Sequence, residues 1–422
     1  MDRAVLVGAP GRETPPRLAE EHLLELARLT DTAGGRVAAF LRQRVDAPHP
    51  RFYIGEGKAD ELAELVKESE ADLVIFDEEL SPAQGRNLEG RLGARVMDRA
   101  ELILDIFATR ARSREAKMQV ELAQLQYLLP RLKRMWSHLS RTRGGIGLRG
   151  PGETQLETDR RLIGTRIADL RRKLKDVAAA RAVQRGTRAG SFRAALVGYT
   201  NAGKSSLLRA LSGADVLVED RLFATLDPTT RVVDLGAGHE ALLTDTVGFI
   251  RKLPHHLVAS FRSTLEEARE ADVVLHVVDA SHPDREEHEE VVREVLQELE
   301  LHRRPQLLVY NKIDRLTHAE EEALRERVRA LSAVPAVFLS AHQPDTLDAL
   351  RAALLERLRA RLTRIRVRVP AGEGEVLAAL HREGEVLAQE AHGVEIEITA
   401  RVPEPLLGRL RGRRGLQILE VE

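Results

Sequence analysis

The chain has 422 residues, with 65 Lys and Arg against 66 Asp and Glu, so its formal net charge is −1. Its length predicts about two to four domains, and its 43% hydrophobic content indicates folded cores rather than a disordered chain. The lack of cysteine excludes disulfides and thiol chemistry, and no apolar run is long enough to span a membrane, so we expect a cytoplasmic protein.

Residues 1–98 alternate short apolar strands with helical segments, which predicts an α/β domain with a mainly parallel sheet. We predict strands over 4–8, 37–45, 72–76 and 94–97, and helices over 15–29, 57–68 and 81–92. Residues Gly55–Lys58 weakly match a phosphate loop. A turn into the second helix is the favoured interpretation of that match, and a second nucleotide site is the less favoured one.

Residues 99–185 predict a helical hairpin whose connection, residues 141–156, is rich in glycine and arginine. We expect one long helix from Arg99 to about Leu139, kinked at Pro130, and a second from Glu157 to about Val183. Residues 99–190 hold 21 Lys and Arg against 9 Asp and Glu, a charge of +12, which leaves −13 for the remainder. This asymmetry predicts a surface for a polyanion, although solvated helix faces account for part of it.

A linker over 186–191 precedes a predicted nucleotide-binding domain over 192–362. Its first strand runs into GYTNAGKS, which matches the phosphate-loop pattern GxxxxGK[ST] between a strand and a helix. Lys204 would neutralise the β- and γ-phosphates, and the Ser205 hydroxyl would bind Mg²⁺. The phosphate-loop residues are Gly198, Tyr199, Thr200, Asn201, Ala202, Gly203, Lys204, Ser205 and Ser206.

Four further segments follow in the order of a GTPase. Thr225 is the candidate switch threonine for Mg²⁺, with Thr229 and Thr230 as alternatives, and Asp245 would hold the ion through water. Asp314 can accept two hydrogen bonds from guanine, which selects GTP over ATP. The switch residues are Phe223, Ala224, Thr225, Leu226 and Asp227, followed by Asp245, Thr246, Val247 and Gly248, whose last amide would contact the γ-phosphate. The predicted base-binding residues are Asn311, Lys312, Asp314, Ser340 and Ala341.

We expect catalysis to depend on Lys204, Thr225 and Gly248, with GTP hydrolysed to GDP. Phe249 stands where many small GTPases carry a glutamine that orients water, so hydrolysis by the isolated protein should be slow. Arg251, His255 and His256 lie nearby in sequence. Asn201 could help bind K⁺ beside the phosphates or could simply shape the loop by a local hydrogen bond.

Residues 363–422 follow the order β-α-β-β-α-β and predict a small ferredoxin-like α+β domain. The whole chain is therefore predicted to be a multidomain α/β protein. Its parts are an N-terminal α/β domain, a basic helical hairpin, a doubly wound nucleotide-binding domain and this C-terminal domain.

The motifs GYTNAGKSS, FATLDPTT, DTVGFI and NKID, with GGIGLRGPGETQLETDRR before them, resemble the HflX family of GTPases, which is related to the Obg group. The resemblance covers about residues 50–345 and includes the hydrophobic residue at Phe249. It implies a ribosome-associated factor that binds the large subunit and splits or rescues stalled ribosomes. We expect the protein to be a monomer in solution. The implied contacts with ribosomal RNA are Arg141, Arg143, Gly144, Gly145, Gly147, Arg149, Gly150 and Gly152.

Two alternatives to this implied function remain. The long helices could dock a protein partner of a regulatory GTPase switch, although an arginine- and glycine-rich tip is hard to explain that way. An ATP-driven RNA remodeller is disfavoured by Asp314 and would need a real second site near Lys58.

Overall fold

The computed structural model describes residues 2–135, 151–186, 191–213, 221–253, 266–413 and 416–421. The strands are β1 (Arg3–Gly8), β2 (Arg36–Arg42), β3 (Leu73–Phe76), β4 (Arg95–Asp98), β5 (Phe192–Gly198), β6 (Thr229–Gly236), β7 (His239–Asp245), β8 (Val273–Asp279), β9 (Gln306–Asn311), β10 (Ala336–Phe338), β11 (Thr363–Pro370), β12 (Glu385–His392), β13 (Glu395–Val402) and β14 (Gln417–Val421). The helices are α1 (Pro16–Thr32), α2 (Glu56–Glu68), α3 (Pro82–Leu92), α4 (Arg99–Arg110), α5 (Arg114–Met135), α6 (Pro151–Gly186), α7 (Lys204–Ser212), α8 (Glu266–Arg269), α9 (Arg285–Glu298), α10 (His318–Leu331), α11 (Asp348–Arg359), α12 (Gly374–Glu383) and α13 (Glu404–Arg411).

The first sheet has the strand order β2-β1-β3-β4, and all of its pairs are parallel. Its central strands are apolar on both faces, as expected for a sheet covered by helices on both sides. Gly55 is the residue before α2, and the Lys58 ammonium pairs with Glu61 at 2.7 Å. In the structure, the residues of the weak glycine–lysine match therefore form the start of α2.

The second sheet has the order β10-β9-β8-β5-β7-β6, parallel except for the edge strand β6. In such a sheet the crevice at the carboxyl ends of the strands is the usual place for a ligand. The predicted motifs at the ends of β5, β7 and β9 therefore share one edge. The predicted class, a multidomain α/β fold, is confirmed.

The helical region differs from the prediction in two respects. The predicted single helix is two, α4 and α5, which are separated by Ala111–Ser113. The second long helix begins at Pro151 rather than Glu157, because proline fits the first turn of a helix, where its missing N–H loses no bond. Leu122 of α5 packs against Ile167 and Leu170 of α6, so the apolar stripes of the two helices meet each other. Pro130 lies inside α5.

The last sheet is antiparallel with the order β12-β13-β11-β14, and its apolar face packs on α12 and α13. This is the strand order of a ferredoxin-like domain, as the pattern of residues 363–422 predicted. Among the described residues, no helix is both long enough and apolar enough to cross a membrane.

Candidate functional site

The phosphate loop joins β5 to α7 and surrounds the buried amine of Lys204. Lys204 is 6% exposed, and its Nζ donates to the carbonyl oxygens of Gly198 at 3.1 Å and Tyr199 at 2.9 Å. Burial lowers the pKa of this amine to about 8. A desolvated cation at the start of a helix is well placed to bind an anion, since the helix N-terminus adds its own partial positive charge.

Glycine is required where neighbouring loops approach this one. A Cβ on Gly203 would lie 2.2 Å from the Asn311 side-chain nitrogen, and Gly203 has a φ of +93°. A Cβ on Gly248 would lie 2.8 Å from the Thr200 Cα and 3.0 Å from the Lys204 amine. The loop that ends in Gly248 therefore packs directly on the phosphate loop, which brings the Gly248 amide to the same cleft.

Three oxygen atoms converge beside Lys204. The Ser205 hydroxyl lies 2.6 Å from one Asp245 oxygen, Oδ2, and 2.8 Å from the Thr225 hydroxyl, which lies 3.0 Å from the same Oδ2. The other Asp245 oxygen is buried and has no hydrogen-bond partner among the described residues. Burial raises the pKa of Asp245. A hard divalent cation would compensate this buried carboxylate, and two hydroxyls and a carboxylate suit Mg²⁺.

The alternatives to Thr225 make other contacts. Thr229 begins β6 opposite Asp245 in the β6–β7 ladder, and the Thr230 hydroxyl is 2.9 Å from that of Thr244 on β7. Of the three threonines, Thr225 is the one whose hydroxyl the structure places within hydrogen-bond distance of both Ser205 and Asp245.

Some residues next to Thr225 line the cleft, and others pack in the core. Ala224 and Thr225 line the cleft. Phe223 lines it as well but is only 2% exposed, and Leu226 is 3% exposed; both belong to the core that includes α4 and α5. The Asp227 carboxylate bonds to the start of α5. The segment of residues 223–227 therefore connects the cleft to α4 and α5.

Phe249 has a side chain that is buried in the core and is 1% exposed. Its amide donates to the Gly198 carbonyl at 3.0 Å, and its carbonyl accepts from the Thr200 amide at 2.7 Å. The residue therefore holds two loops together through its backbone while its ring fills the core. His255 and His256 lie outside the described residues.

The last residue of β9 and the residue after it form hydrogen bonds with the phosphate loop. The Asn311 amide nitrogen donates to the Ala202 carbonyl at 2.9 Å, and its oxygen accepts from the Ala341 amide at 3.1 Å. The Lys312 amine donates to the Asn201 carbonyl at 2.7 Å and to the Asp279 carboxylate at 2.6 Å. Asn311 and Lys312 thus link three loops at the carboxyl edge of the sheet.

The base-binding candidates occupy the end of this edge. Asp314 is exposed on the 3₁₀ turn Ile313–Arg315. Ser340 is buried, and its amide donates to the Thr346 hydroxyl at 2.9 Å. Because the Ala341 amide donates to Asn311, a contact of this amide with guanine O6 stays a prediction.

The resulting cleft has a volume of about 310 Å³ and is lined by the phosphate loop, Thr225, Gly248 and Lys312. Sequence reasoning missed three basic residues in its lining, which are Arg221, Arg315 and His342. It also missed Asp279, the partner of Lys312. Its position at the carboxyl end of β8, next to β5, was the signal that could have found it.

A buried ionic cluster joins the loop after Gly248 to the first sheet. The Arg99 guanidinium, 1% exposed, donates to Asp77 at 2.8 Å and to Glu25. Arg251 donates to the two Asp77 oxygens at 3.1 and 2.9 Å, and Tyr199 of the phosphate loop donates its hydroxyl to Glu25. Burial alone would raise the pKa of Glu25 and Asp77. The positive charges of Arg99 and Arg251 outweigh this effect and lower the pKa of both carboxyl groups.

Comparisons with known proteins identify the family of the chain. Family models described as "GTP-binding GTPase N-terminal", "GTP-binding GTPase Middle Region" and "50S ribosome-binding GTPase" match residues 20–108, 110–188 and 193–312. GTPase HflX of Alkalihalophilus pseudofirmus is 47% identical over 398 residues, which cover 92% of this chain and 90% of that protein. GTPase HflX of Escherichia coli is 48% identical over 364 residues, which cover 86% and 85%.

A solved GTP-binding protein from the archaeon Sulfolobus solfataricus, in complex with GDP, is 26% identical, with a TM-score of 0.45 over 85% of this chain and 99% of that one. The two bacterial relatives match nearly the full length of both chains at almost half identity. This chain therefore belongs to the HflX family of GTPases, and it binds and hydrolyses GTP.

Proposed function

We propose that this GTPase is a cytoplasmic factor that binds the large ribosomal subunit and splits or rescues stalled ribosomes. The observation that carries the proposal is the charge of +12 over residues 99–190. This segment contains the helical pair α5 and α6, and the connection between these two helices holds Arg141, Arg143 and Arg149. RNA supplies the matching charge, and arginine binds phosphate with a planar, two-pronged donor. The family-model description "50S ribosome-binding GTPase" supports the same partner.

The proposed RNA contacts are concentrated at the tip of the helical pair. Residues 141–150 lie outside the described residues, and Gly152 lies in the first turn of α6. Leu122, Ile167 and Leu170 bury part of the apolar stripes against each other, while Leu128 of α5 and Leu162 of α6 stay exposed. The arginines of the connection, rather than this packing, make the regulatory switch with a protein partner the weaker candidate.

In this proposal GTP and Mg²⁺ order Thr225 and Gly248, and hydrolysis to GDP releases the protein from the ribosome. The Ser205 and Thr225 hydroxyls and the Asp245 carboxylate would hold the ion, which supplies positive charge for the developing negative charge on the phosphates. The large subunit would supply the catalytic group that Phe249 cannot provide. We therefore expect slow hydrolysis alone and fast hydrolysis with large subunits.

The first test removes three charges from the tip in the variant Arg141→Gln/Arg143→Gln/Arg149→Gln. We expect the ratio of the subunit-stimulated to the basal GTP hydrolysis rate to fall at subsaturating subunits. The log–log salt dependence of ribosome binding should become shallower by about one unit for each RNA phosphate that the protein no longer neutralises. Both quantities can be measured with purified large subunits across a potassium chloride series.

A matched control removes the same charge from the exposed side of α6, in Arg160→Gln/Arg161→Gln/Arg171→Gln. The control should retain most of the stimulation, because these residues lie away from the tip. An equal fall in both variants would show that net charge, not the tip, drives binding. No stimulation of the unmodified protein by large subunits would contradict the proposal itself and favour the protein-partner switch.

We also propose that Asn201 helps to bind K⁺ next to the β- and γ-phosphates. Asn201 is exposed at the cleft with a φ of +60°, and Lys312 holds its carbonyl at 2.7 Å. Replacing K⁺ with Na⁺ at constant ionic strength should then lower the GTP hydrolysis rate. An unchanged rate would leave Asn201 with the role of shaping the loop.

A further inference from the structure

The break between α4 and α5 has no proline or glycine to explain it, since the residues between the helices are Ala111, Arg112 and Ser113. The Ser113 hydroxyl accepts a hydrogen bond from the Ala116 amide at 3.0 Å. This is the contact by which a serine caps a helix N-terminus. The amides of Arg112 and Ser113, just before the first turn of α5, still need acceptors from elsewhere, because they have no partner within a helix.

Asp227, from the segment that holds Thr225, supplies those acceptors. Its carboxylate accepts from the backbone amides of Arg112 at 3.0 Å and Ser113 at 3.1 Å, and also from the Ser113 hydroxyl. A negative charge at this end of a helix is favourable because it opposes the helix dipole. Asp227 therefore holds Ser113, the residue that caps α5, from more than a hundred positions away in the chain.

Apolar contacts hold the other side of Thr225. The Phe223 ring meets the Phe107 ring of α4 edge to face, with centroids 4.6 Å apart. Phe223 has a φ of +55°, a conformation that phenylalanine adopts only when its surroundings enforce it. Thr225 thus lies between two anchors, Phe223 and Asp227, which both attach to the helices leading into the helical pair.

We infer that Asp227 is a positioning residue that couples the γ-phosphate site to the N-terminus of α5. Only Leu226 separates Asp227 from Thr225, whose hydroxyl lies 2.8 Å from that of Ser205. Withdrawal of Thr225 after hydrolysis therefore takes Asp227 away from Arg112 and Ser113 and loosens the start of α5. By reciprocity, a partner that holds α5 in the capped position favours the engaged state of Thr225. The inference rests on the GTP-driven switch proposed above and does not depend on which partner binds the tip.

Hydrogen exchange of the full-length protein, with GDP or with a non-hydrolysable GTP analogue, tests this coupling. We expect the amides of residues 112–116 to exchange about fivefold more slowly, or slower still, with the analogue. The variant Asp227→Asn should lose most of that difference. The control Asp234→Asn should keep it, because Asp234 is exposed on β6 and its carboxylate bonds only the amide of Gly236 among the described residues.

Nucleotide affinities provide a second readout. In both Asp227→Asn and Ser113→Ala the ratio of analogue affinity to GDP affinity should fall about fivefold. The double variant should fall by less than the sum of the two single variants, since both substitutions remove the hydrogen bond between the two side chains. If the contact had only a structural role, the substitutions would lower the melting temperature equally with either nucleotide and would leave this affinity ratio unchanged.

Two results would overturn the coupling: equal exchange with both nucleotides in the unmodified protein, or an Asp227→Asn variant that keeps the full difference. Neither result depends on ribosomes. Failure of large subunits to stimulate hydrolysis would instead contradict the proposed function and leave the exchange difference in place.

Discussion

Changing Asp314 to Asn should weaken GTP binding by about 10²- to 10⁴-fold. The carboxylate can accept two hydrogen bonds from the guanine N1–H and N2 amino groups, and each bond to a charged group contributes about 1.5–3 kcal/mol. An asparagine amide offers one acceptor and places a donor against a guanine donor. Xanthine carries a carbonyl oxygen in place of the N2 amino group, so xanthosine triphosphate should gain affinity in the variant. Competition against a fluorescent nucleotide measures both changes.

The substitution should leave the fold intact, because Asp314 is exposed on its 3₁₀ turn. Asp345→Asn is the matched control, since Asp345 is also exposed on a short 3₁₀ turn of the same domain. It should bind GTP like the unmodified protein. GTP affinity within threefold of the unmodified value in Asp314→Asn would show that another group recognises the base.

The nucleotide cleft was predictable because its parts obey a local rule. Each motif follows an apolar strand, and the carboxyl ends of parallel strands meet at one edge of a sheet. The spacing of GxxxxGK[ST] also carries its own geometry, since only glycine tolerates the close approach found at Gly203. Ser205, Thr225 and Asp245 could therefore be expected together from the sequence, although their distances could not.

The contacts between the cleft and the rest of the chain were not predictable in the same way. The cap on α5 joins Ser113 to Asp227, and neither residue stands out in its own segment, so the predicted helix ran through the break. The helix start at Pro151 was missed for a local reason, because the glycines before it suggested a longer loop. Contacts between residues so far apart in the chain leave no periodic pattern, so only the structure reveals them.

The buried ionic cluster was even harder to predict from the sequence. Glu25, Asp77, Arg99 and Arg251 come from α1, the end of β3, the start of α4 and the loop after Gly248. A charged residue is most often exposed, so nothing in the sequence marks these four side chains as buried. In the structure all four are less than 9% exposed. Their charges are acceptable there only because each finds an opposite charge in the cluster.

Replacing Arg99 with Met should therefore destabilise the first sheet and its contact with the nucleotide-binding domain by about 3–5 kcal/mol, the usual cost when one partner of a buried pair is removed. Methionine keeps most of the volume but leaves Glu25 and Asp77 short of positive charge. Urea unfolding followed by hydrogen exchange of the β3 amides reports on this part of the chain. The control Arg95→Met removes an exposed arginine that pairs with Glu101 at 2.9 Å, a contact worth about 1 kcal/mol or less.

The pH dependence separates an effect of charge from an effect of packing. Arg99 and Arg251 lower the pKa of Glu25 and Asp77, so the stability gained from these pairs is present above their unfolded pKa of about 4 and is lost as pH falls below it. In Arg99→Met the two carboxyl groups can take up protons at a higher pH, which removes their uncompensated charge. The stability difference from the unmodified protein should therefore be largest near pH 7 and shrink below about pH 5. A difference that stays constant over this range would mean that Arg99 acts through packing, and the cluster would then be no electrostatic link between the two domains.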